Sequence, residues 1–132
     1  MPVDFSGTWK LEKDENLDEF LKAMGVGMIK RTAAAKMSPT LEITQNGDDF
    51  QVIMKTPLRN QEVKFKVGEE FTAQDPLQGK EMKMLATWEG DKQIIKNVTD
   101  PDGVVVTREL EDGKLVQMQS KGGVTCKRIF KK

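Results

Sequence analysis

The sequence of 132 residues contains no histidine and no tyrosine, and it has a single cysteine. Without histidine there is no Ser-His or Cys-His pair to activate a nucleophile and no imidazole to bind zinc. One cysteine closes no disulfide within the chain and forms no thiolate zinc cluster. The composition therefore argues against an enzyme and against a metal site, and we expect no cofactor.

The chain also lacks an excess charge and a long apolar run. Its 21 lysine and arginine residues balance 21 aspartate and glutamate residues, whereas nucleic-acid binding needs a basic surplus that displaces counterions. No apolar run approaches the ~20 residues that cross a bilayer, and the N-terminus does not resemble a secretion signal. We therefore expect a cytoplasmic monomer whose partner is a small molecule and not a nucleic acid. The free thiol agrees with a reducing compartment.

Turn-forming residues punctuate most of the chain, at intervals of mostly nine to twelve residues. Asn-Gly and Asp-Gly pairs reach positive φ at low cost, and such regular spacing is typical of an antiparallel meander. Together with an initial strand over Phe5–Leu11, they divide the sequence into about ten strands. The turns are predicted at Asn46-Gly47, Arg59-Asn60, Gly68, Gly79, Gly90-Asp91, Asp102-Gly103, Asp112-Gly113 and Gly122-Gly123.

The segments between these turns alternate as half-buried strands do. In residues 62–67 the odd positions are apolar and the even positions are charged. A sheet of about ten strands exposes two edges unless it closes on itself. We therefore predict an all-β fold, a ten-stranded antiparallel up-and-down β-barrel formed by one domain over residues 1–132. A barrel of more than about eight strands has room for a small ligand.

One segment has the period of a helix instead. Asn16 and Glu19 fit a capping box at its start, and Gly25 fits its end. A helix-turn-helix over about residues 16–36 is predicted to cap one end of the barrel, and Pro39 limits its second helix. The first helix presents an apolar stripe of Leu17, Phe20, Leu21 and Met24, and the second an apolar side of Met28, Ile29, Thr32 and Ala33.

Two arginines break the apolar pattern of the last strands. Arg108 shares its strand parity with Val106, and Arg128 shares its parity with Cys126 and Phe130, so a period of two turns both guanidinium groups inward. A buried cation requires a pairing group, and the planar fork of arginine matches a carboxylate. One interpretation is therefore a small organic acid bound inside the barrel. Cys126 on the same face is interpreted as a small buried hydrophobe.

The alternative interpretation of the arginines is structural. A bulge that shifts the parity would leave them in solvent, or in ion pairs with Glu62, Glu81 or Glu109.

Five motifs together resemble the intracellular lipid-binding proteins, which include the fatty-acid-binding proteins and the cellular retinol- and retinoic-acid-binding proteins. The resemblance spans the chain in order and at matching length. It implies a ten-stranded barrel, capped by a helix-turn-helix, that holds one fatty acid or retinoid as a non-enzymatic carrier. The motifs are Gly7–Leu11, Asn16–Phe20, Val67–Phe71, Trp88–Asp91 and Cys126–Phe130.

The same resemblance suggests the ligand-binding residues. Arg108 and Arg128 match the arginines that hold the ligand carboxylate in fatty-acid and retinoic-acid binders of this family. Phe130 stands where many of those proteins have tyrosine, and it is similar to the intestinal fatty-acid-binding and retinol-binding members. Retinol binders carry glutamine where Arg108 stands, so we expect a long-chain fatty acid, with a retinoid as the alternative.

The resemblance further implies that the helical cap contacts membranes during ligand transfer. The predicted cap carries the basic residues Lys22, Lys30, Arg31 and Lys36, and basic residues are attracted to anionic headgroups. The alternative is a solvated helix face. Two other classes of function are alternatives. An esterase or isomerase on the same barrel would need a histidine base or a tight Ser, Cys or Lys constellation, and the sequence shows neither. A protein-only interaction module would bind no lipid.

Overall fold

The structure is a computed structural model that describes residues 4–36, 38–56, 60–74, 81–99 and 103–132. Within these residues it contains ten β-strands and two α-helices. In chain order the elements are β1 (Gly7–Glu15), α1 (Leu17–Ala23), α2 (Met28–Lys36), β2 (Thr40–Asn46), β3 (Asp49–Lys55), β4 (Asn60–Lys66), β5 (Glu70–Gln74), β6 (Glu81–Glu89), β7 (Lys92–Asn97), β8 (Val105–Glu111), β9 (Lys114–Lys121) and β10 (Val124–Lys131).

All ten strands belong to one antiparallel sheet, in the order β4-β3-β2-β1-β10-β9-β8-β7-β6-β5. Successive strands pair along the chain except β4 and β5, and the pairing of β1 with β10 joins the two ends of the meander. The β4–β5 turn is tied down by two 2.9 Å backbone bonds, from Val67 N–H to the Asp48 carbonyl and from Gly68 N–H to the Ala86 carbonyl. The result is a nearly closed up-and-down barrel, which confirms the predicted architecture.

The predicted turns separate the strands wherever the structure describes them. Between β8 and β9, Asp112 and Gly113 have φ values of 52° and 78°, the backbone that a two-residue hairpin requires at both central positions. The predicted turn residues Arg59, Gly79 and Asp102 lie outside the described residues.

The inward face of the barrel is apolar for most of its surface. On β4, Val63 packs against the core and Phe65 is buried, as the alternation predicts. Trp9 is also buried, and its Nε1–H donates to the Phe5 carbonyl over 2.9 Å. An aromatic cluster fills part of this core, with ring centroids 4.9–6.5 Å apart; its members are Phe5, Phe50, Phe65, Phe71 and Trp88.

The helical cap lies over the start of β10. Helix α1 ends in a Schellman motif, because Val26 N–H bonds to the Leu21 carbonyl and Gly25 N–H to the Lys22 carbonyl, both over 3.0 Å. Gly25 has φ of 81°, which glycine adopts without strain. A second buried cluster joins the cap to the barrel, and it consists of Phe20, Leu21, Val26 and Cys126.

The predicted capping box at the start of α1 is wrong. Asn16 adopts a left-handed conformation with φ of 63° and makes no side-chain bond to the helix. Its Nδ2 instead donates to the carbonyl of Thr125 at 3.0 Å. Asn16 therefore fastens the helical cap to β10, a contact that local sequence spacing does not predict.

The predicted apolar side of α2 is also not a packing face. Met28 and Ile29 are 71% and 87% exposed, and Thr32 and Ala33 are exposed as well. Arg31, by contrast, is held against α1 by bonds to Asp18 (2.9 Å) and to the Val26 carbonyl (2.8 Å). The outer face of α2 therefore presents apolar side chains to solvent. None of the described helices is long and apolar enough to cross a membrane.

The aromatic cluster makes the stability of the fold sensitive to substitution of Phe50. Phe50 is 4% exposed and contacts the rings of Phe5, Phe65 and Trp88. We expect Phe50→Ala to lower the free energy of unfolding by about 3–5 kcal/mol, because it leaves a cavity in a packed core. Urea denaturation followed by tryptophan fluorescence measures this loss.

The matched control is Thr44→Ala, at an exposed position of the neighbouring strand β2. It should change the stability by no more than about 1 kcal/mol. Equal losses in the two variants would contradict the role of the cluster.

Candidate ligand-binding site

The register of six strands aligns one line of residues across the barrel. Trp88 on β6 is opposite Gln93 on β7, and Gln93 is opposite Arg108 on β8. The line continues from Arg108 to Gln117 on β9, to Arg128 on β10 and to Asp14 on β1. Residues opposite one another in neighbouring strands project from the same face. We call Gln93, Arg108, Gln117, Arg128 and Asp14 the polar row.

Arg108 lies in the middle of this row and is held by two amides. Its Nε donates to Oε1 of Gln117 at 2.9 Å, and its Nη1 donates to Oε1 of Gln93 at 3.2 Å. The two glutamines are 5% and 0% exposed. Arg108 forms no ion pair with a carboxylate of the described residues, so its charge has no counter-ion there.

Burial changes the electrostatics of Arg108. Desolvation lowers the pKa of its guanidinium from its ordinary value to about 10, because a low-polarity environment disfavours the charged form. The group nevertheless remains a cation at neutral pH. The barrel interior therefore carries a positive charge that is oriented by hydrogen bonds but not neutralised by a protein carboxylate that the structure describes.

Arg128 differs from Arg108 because it has an acidic partner. Its Nε donates to Oδ1 of Asp14 at 2.6 Å, and the two side chains are 12% and 18% exposed. A bulge in β1 between Leu11 and Lys13 shifts the parity of that strand and brings Asp14 opposite Arg128. The alternative ion pairs with Glu62, Glu81 or Glu109 are therefore wrong, since Arg128 pairs with Asp14 and Arg108 with amides.

Phe130 lies two residues beyond Arg128 on the same face of β10. It is 1% exposed and belongs to the barrel core. The Arg128 guanidinium carbon lies 6.0 Å from the centre of its ring, within the range of a cation–π contact. The structure thus places Arg108 on β8, and Arg128 and Phe130 on β10, on the inward faces of the two strands that flank β9.

Sequence reasoning missed the two glutamines of the row. Gln117 shares its parity with Leu115, and Gln93 with Ile95, all of them buried. A neutral amide on an apolar face is a weaker signal than an arginine, because it costs less to bury. The parity that identified Arg108 would nevertheless have found both.

Cys126 is buried beneath the helical cap, as predicted. It is fully shielded from solvent and packs with Phe20, Leu21 and Val26. Desolvation raises the pKa of its thiol from 9.0 to about 11. Very little reactive thiolate is therefore present at neutral pH.

The fold and the polar row together define the class of protein: an up-and-down barrel that holds an oriented cation in its interior. A sequence model of the lipocalin / cytosolic fatty-acid binding protein family matches residues 6–132. The chain belongs to this family.

The similarity to individual relatives also supports membership of this family. The chain is 36% identical to a fatty acid-binding protein of Tyrophagus putrescentiae over 98% of both chains. It is 39% identical to cellular retinoic acid-binding protein 1 of Homo sapiens over 96% of both. Both relatives are named as binding proteins.

Solved structures of the family have the same fold. Human cellular retinol-binding protein IV (cRBP IV) superimposes with a TM-score of 0.93 at 33% identity, over 99% of both chains. Lipid binding protein 8 of Caenorhabditis elegans superimposes with a TM-score of 0.87 at 37% identity, over 97% of this chain and 94% of the other. The identification as a member of the lipid-binding family is confirmed.

The buried position of Cys126 makes its thiol a probe of the cap. We expect a thiol reagent to modify the native protein much more slowly than the urea-unfolded chain at pH 7, because α1 covers the sulfur and its pKa is raised to about 11. Absorbance of the released thiolate measures the rate. Equal rates for native and unfolded protein would contradict the packing of α1 on β10.

Proposed function

We propose that this protein is an intracellular carrier that binds a long-chain fatty acid inside the barrel. Arg108 holds the carboxylate, Arg128 contributes the second positive charge, and Phe130 forms part of the wall beside them. The observation that carries this proposal is the state of Arg108, an inward cation that two neutral amides orient and no described carboxylate neutralises. An anionic head group supplies the missing charge.

The apolar chain and the charged head contribute differently. Burying each CH₂ group is worth about 0.8 kcal/mol, so a long acyl chain supplies most of the affinity. The ion pair with Arg108 contributes less net free energy, because both charges lose their hydration. Its main effect is to select an acid over a neutral lipid.

Arg128 is the weaker carboxylate partner of the two. Asp14 already accepts a hydrogen bond from its Nε at 2.6 Å, so its charge is largely compensated. Arg128 and Phe130 shape the head-group region together, and Arg108 discriminates between ligands.

A retinoid is the second candidate ligand. Relatives at 38–39% identity are named cellular retinoic acid-binding protein 1, and retinoic acid presents the same carboxylate. Retinol is a poorer match, because a neutral alcohol leaves Arg108 without a counter-charge.

The carrier acts without catalysis, as a monomer, in the cytosol. The lack of histidine and the binding proteins among its relatives support the lack of catalysis.

Arg108→Gln tests the carboxylate assignment. We expect a loss of affinity for a saturated fatty acid of about tenfold or more, since a charge-assisted hydrogen bond is worth about 1.5–3 kcal/mol. Affinity for the fatty alcohol of the same chain length should remain close to the original. Displacement of a fluorescent fatty-acid analogue measures both. An unchanged preference for acid over alcohol would overturn the assignment.

The same variant has an expected effect on stability. The folded-state pKa of Arg108 lies below its ordinary value, so the folded state pays for the buried charge at any pH below about 10. This cost fades as the pH rises above about 10, because the folded chain then releases the proton before the unfolded chain does. At pH 7, Arg108→Gln should therefore raise the free energy of unfolding of the ligand-free protein, by on the order of 1–3 kcal/mol. Urea denaturation measures the change, and a loss of stability would contradict it.

The outer face of α2 supports contact between the cap and membranes during ligand transfer. Met28 and Ile29 are exposed apolar residues, and exposed apolar side chains on a helix can insert at a lipid surface. The basic residues contribute less than the sequence predicts, because Arg31 is engaged by Asp18 and Lys22 pairs with Glu19. The side chain of Lys36 lies outside the described residues.

Ile29→Glu tests this contact. We expect fatty-acid transfer to anionic phospholipid vesicles to slow by about threefold or more, because burial of the isoleucine side chain is lost, while the equilibrium affinity for the fatty acid stays unchanged. Stopped-flow transfer of a fluorescent fatty acid measures the rate. The control Thr87→Glu adds the same charge at an exposed position of β6. Equal rates for Ile29→Glu and the control would contradict a role of α2.

A further inference from the structure

Gln93 carries a buried donor that finds no acceptor among the residues that the structure describes. Its side chain is completely buried on β7, and its Oε1 accepts a hydrogen bond from Nη1 of Arg108. Its Nε2 is also buried and has no acceptor among the described residues. A buried donor that finds no acceptor loses its hydration without compensation. This donor is the other end of the amide that contacts Arg108.

The charge on Arg108 explains the orientation of this amide. A glutamine side chain has one acceptor end and one donor end. If the amide were reversed, its NH₂ group would face the guanidinium, and two donors would meet. The contact with Arg108 therefore directs Oε1 towards the cation and leaves Nε2 unpaired.

Gln117 holds Arg108 from the other side without this cost. Its Oε1 accepts from Nε of Arg108, and its Nε2 donates to Oε1 of Gln119 at 3.3 Å. Both ends of the Gln117 amide are satisfied. Gln93 therefore contributes a second neutral acceptor, which fixes Nη1 of Arg108.

A neutral acceptor at position 93 affects the charge and the orientation of Arg108 differently from a carboxylate or an apolar side chain. A carboxylate there would bind the guanidinium more strongly and neutralise it, which removes the attraction for an acidic ligand. An apolar side chain would leave the guanidinium tethered only through Gln117. A neutral acceptor such as an amide orients the cation and preserves its charge.

We propose that Gln93 is a positioning residue that sets ligand specificity, an inference that rests on the proposed function. It fixes the guanidinium of Arg108 without neutralising it, so that the carboxylate of the ligand becomes the counter-ion. The protein selects acids over alcohols because its cation is held by amides on both sides.

The test compares the ratio of fatty-acid to fatty-alcohol affinity, at equal chain length, in five proteins. These are the unmodified chain, Gln93→Glu, Gln93→Met, Arg108→Gln and the surface control Thr87→Glu. We expect Gln93→Glu to lower the ratio by about tenfold or more, because an internal carboxylate replaces that of the ligand. Gln93→Met should lower it by about threefold through loss of one tether. The control should retain the original ratio.

The outcomes separate this inference from the proposed function. If Arg108→Gln lowers the ratio and Gln93→Glu retains it, the inference is overturned and the proposed function stands. If Arg108→Gln itself retains the ratio, the proposed function fails. A purely structural role of Gln93 would weaken acid and alcohol binding equally, and this result also overturns the inference. If Gln93→Glu does not fold, an unchanged ratio in Gln93→Met decides against it.

Discussion

The most consequential interaction in this protein is the burial of Arg108 inside an apolar barrel without a described counter-ion. A buried cation is tolerated only when hydrogen bonds replace part of its lost hydration. The sheet supplies those bonds by register, since β7 and β9 place an amide on each side of the arginine. The remaining deficit is one of charge, and in the proposed function the carboxylate of the ligand supplies the counter-charge. Selection of an acid would then follow from the electrostatic cost of the buried cation.

The zero net charge of the whole chain does not reveal this arrangement of buried charges. The 21 basic and 21 acidic residues cancel over the whole chain, yet the polar row contains Arg108, Arg128 and only one acid, Asp14. Most other ion pairs of the described residues join partly exposed side chains, where such pairs contribute little to stability. The charges to which the proposed function assigns ligand binding are among the few that the barrel removes from water.

The strands were predictable because their signals are local. Turn pairs such as Asp112-Gly113 and the alternation through Phe65 depend on neighbouring residues alone, and both are found as expected. The cap was less predictable. Asn16 bonds to Thr125, more than a hundred residues away in sequence, and Ile29 is exposed although its spacing fits a packing face. A helical period identifies an apolar stripe, but it does not say whether another surface covers it.

The features of the candidate site also divide into those that strand parity predicted and those that depend on strand pairing. Strand parity predicted that Arg108, Arg128 and Phe130 face the interior, because the alternation of side chains depends on neighbouring residues unless a bulge interrupts it. It did not determine that the two arginines differ. Asp14 reaches Arg128 through a bulge in β1, and Gln93 and Gln117 reach Arg108 through the pairing of three strands. These contacts depend on strand register, which is set when distant segments pair and pack, so the folded barrel decided which arginine kept its charge available.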